Sequence, residues 1–298
     1  MASEYQALPP HPLPEGRATV GSKWVYQIKY NADGKISRHK ARLIAHGFMQ
    51  VQGLDYEETF APVTGLETIC LLFAIAVSKD WKIHQVDVKT TYLYGDLDEE
   101  IYMDPPFGYP VPEGHTLHLK KALYGLKQAG SQWYQKLKFM GKFGLHQITN
   151  DPNTFVAHKV VKGVRHTLIL PAYVDNLFPI GDKVLMDEFE AWIPKYFNVT
   201  LTGNASLFLR IRVMRSRTSQ HPWLLLNQMK YVEMILSCFS ISKPWKASTP
   251  FPQNKNLLPN TKEADKKIVC TYQSVIELLI YLMLGTQPDF AYTVSKAA

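Results

Sequence analysis

Two aspartates are the residues best placed to do chemistry. Asp87 lies near the end of the alternating run WKIHQVDV (Trp81–Val88), and Asp175, followed by Asn176, lies between two apolar runs over His166–Ile180. Metal-assisted phosphoryl transfer needs carboxylates converging from separate strands, because two divalent ions roughly 3.5–4 Å apart must be held against their own repulsion. A unit pair at about 4 Å costs about 4 kcal/mol at an effective dielectric near 20, and a doubly charged pair about four times that. Only a cluster of negative oxygens offsets such a term. A lone aspartate at a strand end or in a turn is more often structural, so the pair by itself is a candidate that needs support from the rest of the chain.

The elements that must position these residues are legible from periodicity. KWVYQIK (Lys23–Lys29) alternates apolar and polar residues; the turn Asn31–Gly34 follows, and SRHKARLIAHGF resumes a strand, which predicts a hairpin. Glu67–Lys79 reads as a buried helix, Trp81–Val88 as a strand delivering Asp87, and Ser131–Phe143 as an amphipathic helix. His166–Ile180 reads as a hairpin with Asp175-Asn176 at its tip. Asp182–Phe197, Met229–Phe239 and Ser274–Leu284 read as helices, with another starting at Asp289, and Gln253–Lys267 as a polar loop. The proline-rich residues 1–16 read as an extended leader.

Charge is distributed as a polyanion-binding enzyme would need. The net charge is +7. Arg17, Lys23, Lys29, Lys35, Arg38, Lys40 and Arg42 face Asp33 alone, and Lys120, Lys121, Lys127, Lys136, Lys138 and Lys142 lie in an acid-free stretch. Between them Trp81–Asp104 is acidic. Basic segments flanking an acidic one suit a grip on nucleic acid around a cation site, although solvated charged faces give the same pattern. A composition with 46% hydrophobic residues is that of a folded chain. Cys70, Cys238 and Cys270 are too few and too far apart for a disulfide framework or a metal box, so an intracellular, cytoplasmic setting is expected. The N-terminus has no secretory signal, and no stretch approaches the uninterrupted apolar length of a membrane helix, so no membrane partner is expected.

Ordered motifs narrow the reading. IHQVDVKTTYLYGDLDEEIYM (Ile83–Met103), ALYGLKQAGSQWY (Ala122–Tyr134) and AYVDNLFPIG (Ala172–Gly181) resemble, in order and spacing, the palm motifs of copia-type retrotransposon reverse transcriptases. So do KWVYQIKYNADGKISRHKARLIAHGF (Lys23–Phe48), DYEETFAPV (Asp55–Val63), STP (Ser248–Pro250) and TQPDFAYTVS (Thr286–Ser295). The resemblance implies an α+β right-hand polymerase fold of fingers, palm and thumb, with an antiparallel palm sheet backed by helices. It divides the chain into a leader (1–16), fingers (17–80), first palm part (81–113), loop and helix (114–150), second palm part with the YVDN hairpin (151–204), and thumb with a truncated connection (205–298).

The resemblance also implies roles. Asp87 and Asp175 match the catalytic aspartates, with the Val88 carbonyl as a backbone ligand for two magnesium ions. Tyr92 falls at the sugar-gate position; Lys40 and Arg42 match a triphosphate-binding motif, and Tyr124 a loop supporting nucleotide and template. Lys120, Lys121, Lys127 and Lys136 are candidates for contacts to a template–primer, the other partners being deoxynucleoside triphosphates.

Departures from the family pattern are equally specific. Asn176 stands where the family has the second aspartate of YVDD; Arg210 replaces a glycine, Gln287 an arginine and Glu277 a glycine. Pro171 and Pro179 occupy strand positions on the arms of the hairpin that aims Asp175, where a proline removes a ladder hydrogen bond. The expectation is an RNA-directed DNA polymerase domain, a polyprotein piece with an impaired site. A nucleic-acid-binding remnant without activity and an inert product of a decaying element remain as alternatives.

Overall fold

The computed structural model describes residues 9–30, 35–217, 222–241, 249 and 265–298. Residues 1–8 of the leader, the Asn31–Gly34 turn, Ser248 and Pro250 of the STP motif, and most of Gln253–Lys267 lie outside the described residues. The chain forms two compact units, Met1–Thr64 with Val86–Thr202, and Gly65–Gln85 with Gly203–Ala298.

Along the chain run β1 (Pro10–Pro12), β2 (Thr19–Val20), β3 (Ser22–Tyr30), β4 (Ile36–Ala45), α1 (Leu66–Ser78) and β5 (Lys82–Val88). Next come β6 (Asp96–Met103), β7 (His115–Lys121), α2 (Ala129–Leu137), β8 (His146–Gln147), β9 (Thr154–Val161) and β10 (Val164–Tyr173). They are followed by β11 (Asn176–Leu177), β12 (Ile180–Gly181), α3 (Lys183–Trp192), β13 (Val199–Asn204), β14 (Leu207–Phe208), β15 (Ile211–Ser216) and β16 (Trp223–Asn227). The last helices are α4 (Met229–Cys238), α5 (Lys266–Gly285) and α6 (Ala291–Ala297).

In the first unit, β3 and β4 form a two-stranded antiparallel ribbon, with Gln27 opposite Lys40 and Lys29 opposite Arg38. Because side chains alternate along a strand, Arg38, Lys40 and Arg42 share one face of β4. A second sheet has the order β1-β7-β6-β2. Part of the extended leader is an edge strand: Pro10, His11 and Pro12 pair with Leu117, Thr116 and His115. Proline suits an edge, where one side of the backbone needs no partner. The central sheet has the order β11-β5-β12-β10-β9-β8. Its strand residues Val86, Val88, Phe155, Leu168, Leu170, Ala172 and Leu177 are buried together with Trp133 and Leu137 of α2 and with Leu185, Met186 and Phe189 of α3.

The hairpin differs from its sequence reading by one residue. Tyr173 pairs with Asn176 and Ala172 with Leu177. The tip is therefore Val174-Asp175, and Asn176 is the first residue of the returning strand. Farther down, Ile169 pairs with Ile180 and Leu168 with Gly181, at the same offset as at the tip. The return strand is interrupted only at Phe178-Pro179, opposite Leu170-Pro171. The two prolines thus thin the ladder without shifting its register. Phe178 donates its N–H to the Pro171 carbonyl at 3.0 Å, and the proline has no N–H to return.

In the second unit β14, β15 and β16 form a meander. Arg215 of β15 donates to the carbonyls of Ala76 in α1 and of Trp81 just beyond it. Residues 65–80, assigned to the fingers segment on sequence, thus cluster with the C-terminal residues rather than with the β3–β4 ribbon. The turn from β14 to β15 is Leu209-Arg210, at φ of 44° and 66°. Two left-handed residues in a two-residue hairpin loop are what glycine supplies without strain, which gives the Arg210 departure a physical cost. Glu277, by contrast, is an exposed residue within α5, where glutamate is a better helix former than glycine.

The last long helix also differs from expectation. It begins at Lys266 rather than Ser274, because the Asp265 side chain accepts from the Lys267 N–H and caps it. At 20 residues α5 is long and apolar enough, by length and composition only, to cross a membrane, although Lys266, Lys267, Gln273 and Glu277 interrupt its apolar sequence. Leu278, Leu279, Tyr281 and Leu282 of this helix pack against Tyr231 and Ile235 of α4.

Candidate functional site

The site is assembled at the junction of β5 and β11. Asp87 and Asn176 are cross-strand partners, as are Val86 and Leu177. Val88 donates its N–H to the Asp175 carbonyl at 2.8 Å, and buried Trp133 of α2 donates its indole N–H to the Val174 carbonyl at 2.8 Å. The tip is therefore tied to β5 on one side and to α2 on the other. Val174 sits at φ 53°, an outlier for a β-branched residue, and strain of this kind is retained where surrounding contacts over-determine it. The Val88 carbonyl accepts from the buried Thr91 hydroxyl at 2.9 Å, which leaves one lone pair for another partner.

Asn176 does more than lack a charge. Its side-chain amide donates to an Asp175 carboxylate oxygen at 2.8 Å, so a lone pair that an aspartate neighbour would leave open is occupied. Among the described residues no group of three or more His, Cys, Asp or Glu side chains gathers as a metal cage. The carboxylates at this junction are Asp87 and Asp175.

Both carboxylates face a cavity of about 270 Å³ that is also lined by Arg38, Lys40, Arg42, Lys89 and Tyr124. Burial, and then the Asp175 charge, raise the Asp87 carboxyl above its ordinary value, against the pull of Lys40, Lys89 and Arg38. Burial, followed by the like charges of Arg42, Arg38 and Lys29, holds the Lys40 ammonium below its ordinary value, while Asp87 opposes the shift. The cavity thus sets two crowded carboxylates beside a crowded set of cations. Arg42 lies over the Tyr124 ring at 5.8 Å, and Tyr124 meets Tyr92 edge-on with centroids 4.8 Å apart. Burial raises both phenols above their ordinary values; for Tyr92 the next cause is Asp175.

Of the residues named on sequence, Asp87, Val88, Asp175, Lys40, Arg42 and Tyr124 line one cavity, and Asn176 and Tyr92 adjoin it. The candidate template lysines are placed elsewhere. Lys121 and Lys136 both pair with the exposed Asp96, and Lys120 and Lys127 are exposed and do not line the cavity. Alternation along β6, β7 and α2 does not reveal a carboxylate that two of them share. Sequence reasoning passed over Lys89 and counted Arg38 only among the basic residues of its segment, without placing it at the site. The period-two spacing of 38, 40 and 42, and the two-residue step from Asp87 to Lys89, were signals that could have found them.

The family model described as "Reverse transcriptase (RNA-dependent DNA polymerase)" matches residues 10–253. The retrovirus-related Pol polyprotein from transposon TNT 1-94 of Nicotiana tabacum is 36% identical over 291 residues, covering 95% of this chain and 22% of that protein. The corresponding polyprotein from transposon RE1 of Arabidopsis thaliana is 33% identical over 291 residues, covering 96% of this chain and 19% of that protein. The chain thus spans about a fifth of the length of these curated relatives. Among solved structures, a foamy viral protease–reverse transcriptase in complex with double-stranded DNA matches at a TM-score of 0.35 and 11% identity, covering 87% of this chain and 37% of that one, a level too low to argue from. On the family match and on identity over nearly its whole length, the chain belongs to the copia-type reverse transcriptase family, as a reverse transcriptase domain of the kind carried in retrotransposon Pol polyproteins.

Proposed function

We propose that this chain is built to extend a primer on an RNA or DNA template with deoxynucleoside triphosphates, and that Asn176 weakens its catalytic step. The observation that carries the reading is the meeting of Asp87, Asp175 and Asn176 at one cross-strand junction, with both aspartates facing a cavity shared with Arg38, Lys40, Arg42 and Lys89. In a right-hand arrangement the β3–β4 ribbon serves as fingers, the central sheet with α2 and α3 as palm, and residues 205–298 as thumb and the start of a connection.

Asp87, Asp175 and the remaining lone pair of the Val88 carbonyl are the hard oxygen donors that would hold magnesium. The donor set fits a divalent cation, though with less negative charge than a three-carboxylate site, since Asn176 contributes at most a neutral oxygen. The raised carboxyl of Asp87 is a cost that a cation would relieve. Bound there, divalent ions would offset charge developing on the attacking and leaving oxygens. Lys40 and Arg42 neutralise the triphosphate, Arg42 with a planar fork that matches phosphate oxygens. An anion relieves the crowding of Lys40 by Arg42, Arg38 and Lys29. Tyr124 supports the nucleotide, and Tyr92, edge-on to it, excludes a ribose 2′-hydroxyl. The free thiols Cys70, Cys238 and Cys270 suit a reducing, cytoplasmic setting.

A second reading, binding without turnover, is favoured by one observation: the Asn176 amide already occupies an Asp175 oxygen. Both readings require a grip on nucleic acid. Affinity for an RNA–DNA primer–template should fall steeply with salt, as counterion release demands. Arg38→Ala and Lys40→Ala should weaken binding more than Lys121→Ala or Lys136→Ala, whose ammonium groups are paired with Asp96. A flat salt response, or the reverse order of variants, would count against the proposal.

A further inference from the structure

The pocket wall that carries Tyr124 is clamped from behind by two buried amides. Gln128, which is fully buried, precedes α2; Gln50 follows the short 3-10 turn Gly47–Met49 beyond β4. The Gln50 amide nitrogen donates to the Gln128 side-chain oxygen at 3.1 Å, and the Gln50 side-chain oxygen accepts the Lys127 N–H at 2.7 Å. The Gln128 amide nitrogen donates to the Asp55 carbonyl at 2.7 Å and to Glu99 at 3.2 Å. Buried amides are costly unless paired, and these are paired into one network.

The network ends at the cavity. Ala45, at the end of the strand that bears Lys40 and Arg42, donates its N–H to the Tyr124 carbonyl at 2.8 Å. Gly47 and Gly125 let the two segments touch: a Cβ on Gly47 would lie 2.0 Å from the Gly125 oxygen, and one on Gly125 2.1 Å from the Ala45 oxygen. One end of the Tyr124–Gln128 loop is therefore fixed on β4 and the other on Gln50. Tyr124 is the end held on β4, with Arg42 over its ring and Tyr92 against its edge.

We propose that Gln50 and Gln128 are positioning residues that hold Tyr124 in the nucleotide pocket, so that Arg42 and Tyr92 keep their places around it. The proposal rests on the nucleotide-binding reading given above and adds residues that do not touch the ligand. A space-filling role would let leucine substitute for either amide. A positioning role requires the donors and acceptors, and its effect passes through Tyr124.

The test is a double-mutant cycle on the full chain, read as affinity for a magnesium deoxynucleoside triphosphate. Gln50→Leu and Gln128→Leu should each weaken nucleotide binding about tenfold, a typical coupling for groups sharing one network. In a Tyr124→Ala background the same substitutions should cost almost nothing more. Gln50→Glu, which keeps the acceptor for the Lys127 N–H, should retain more affinity than Gln50→Leu, and it serves as the second variant where Gln128→Leu unfolds the chain. Losses that add fully to that of Tyr124→Ala, or leucine variants that bind as the parent does, would overturn the positioning role alone. Failure of the parent chain to bind any deoxynucleoside triphosphate would remove the nucleotide reading and this proposal with it.

Discussion

Asp87 and Asn176 face each other across the β5–β11 ladder, so the one substitution in the YVDN motif lies directly opposite the carboxylate at the penultimate position of β5. The Asn176 amide turns toward Asp175, while burial and the charge of that same aspartate raise the half-buried Asp87 carboxyl above its ordinary value.

Asp87→Asn should therefore raise Tm at neutral pH in chelator-containing buffer. A carboxyl whose folded pKa is raised binds its proton more tightly in the folded chain. Its favourable contribution is complete below the unfolded value and is lost as pH rises through the folded one. The advantage of the variant should be largest above that folded value and should shrink as pH falls below it. Magnesium should narrow the difference at neutral pH by stabilising the parent alone. A variant less stable than the parent at neutral pH, with no pH trend, would show that burial and Asp175 do not strain Asp87.

Arg210 offers a test in the second unit. Arg210→Gly relieves a left-handed conformation that costs an L-residue about 1 kcal/mol or more, but it also loses the contact of the guanidinium over Tyr231 at 6.0 Å. Arg210→Ala loses the contact without the relief. The glycine variant should exceed the alanine variant in stability by about 1 kcal/mol, measured by denaturant unfolding. Equal stabilities would mean that the turn is not strained.

The prolines should matter less than their positions in sequence suggest. Pro171→Val restores a donor worth about 1 kcal/mol but returns to the unfolded chain the freedom that proline removes, about 0.4–1 kcal/mol. Stability should change by less than about 1 kcal/mol, and Pro171→Val should add little to any rescue given by Asn176→Asp. A large synergy in primer extension between the two substitutions would mean that the preserved register does not aim Asp175 correctly.

The parts of the site that the sequence disclosed were those governed by short-range rules. Alternation in WKIHQVDV located Asp87 on a strand, and the paired apolar runs around Asp175 located that residue at a hairpin tip; Lys40 and Arg42 were found through the family resemblance of SRHKARLIAHGF. The tip was misplaced by one residue because period-two patterning fixes faces but not which pair closes a turn. That was decided by pairing Tyr173 with Asn176. The start of α5 was missed because Asp265 and the two lysines after it look polar and loop-like, while their role is capping. Lys121, Lys136 and Asp96 come from β7, α2 and β6, and no local pattern could bring them together. Gln50 and Gln128 are 78 residues apart, and buried amides carry no periodic signature.

The central claim, a polymerase site weakened at its second carboxylate, is tested most directly by templated primer extension. The purified full chain and its Asn176→Asp variant would be compared on a primed RNA template with magnesium. The parent should give trace extension and the variant about two orders of magnitude more, the scale on which one electrostatic contact to a developing charge acts. Robust magnesium-dependent extension by the unmodified chain, equal to that of Asn176→Asp, would contradict it.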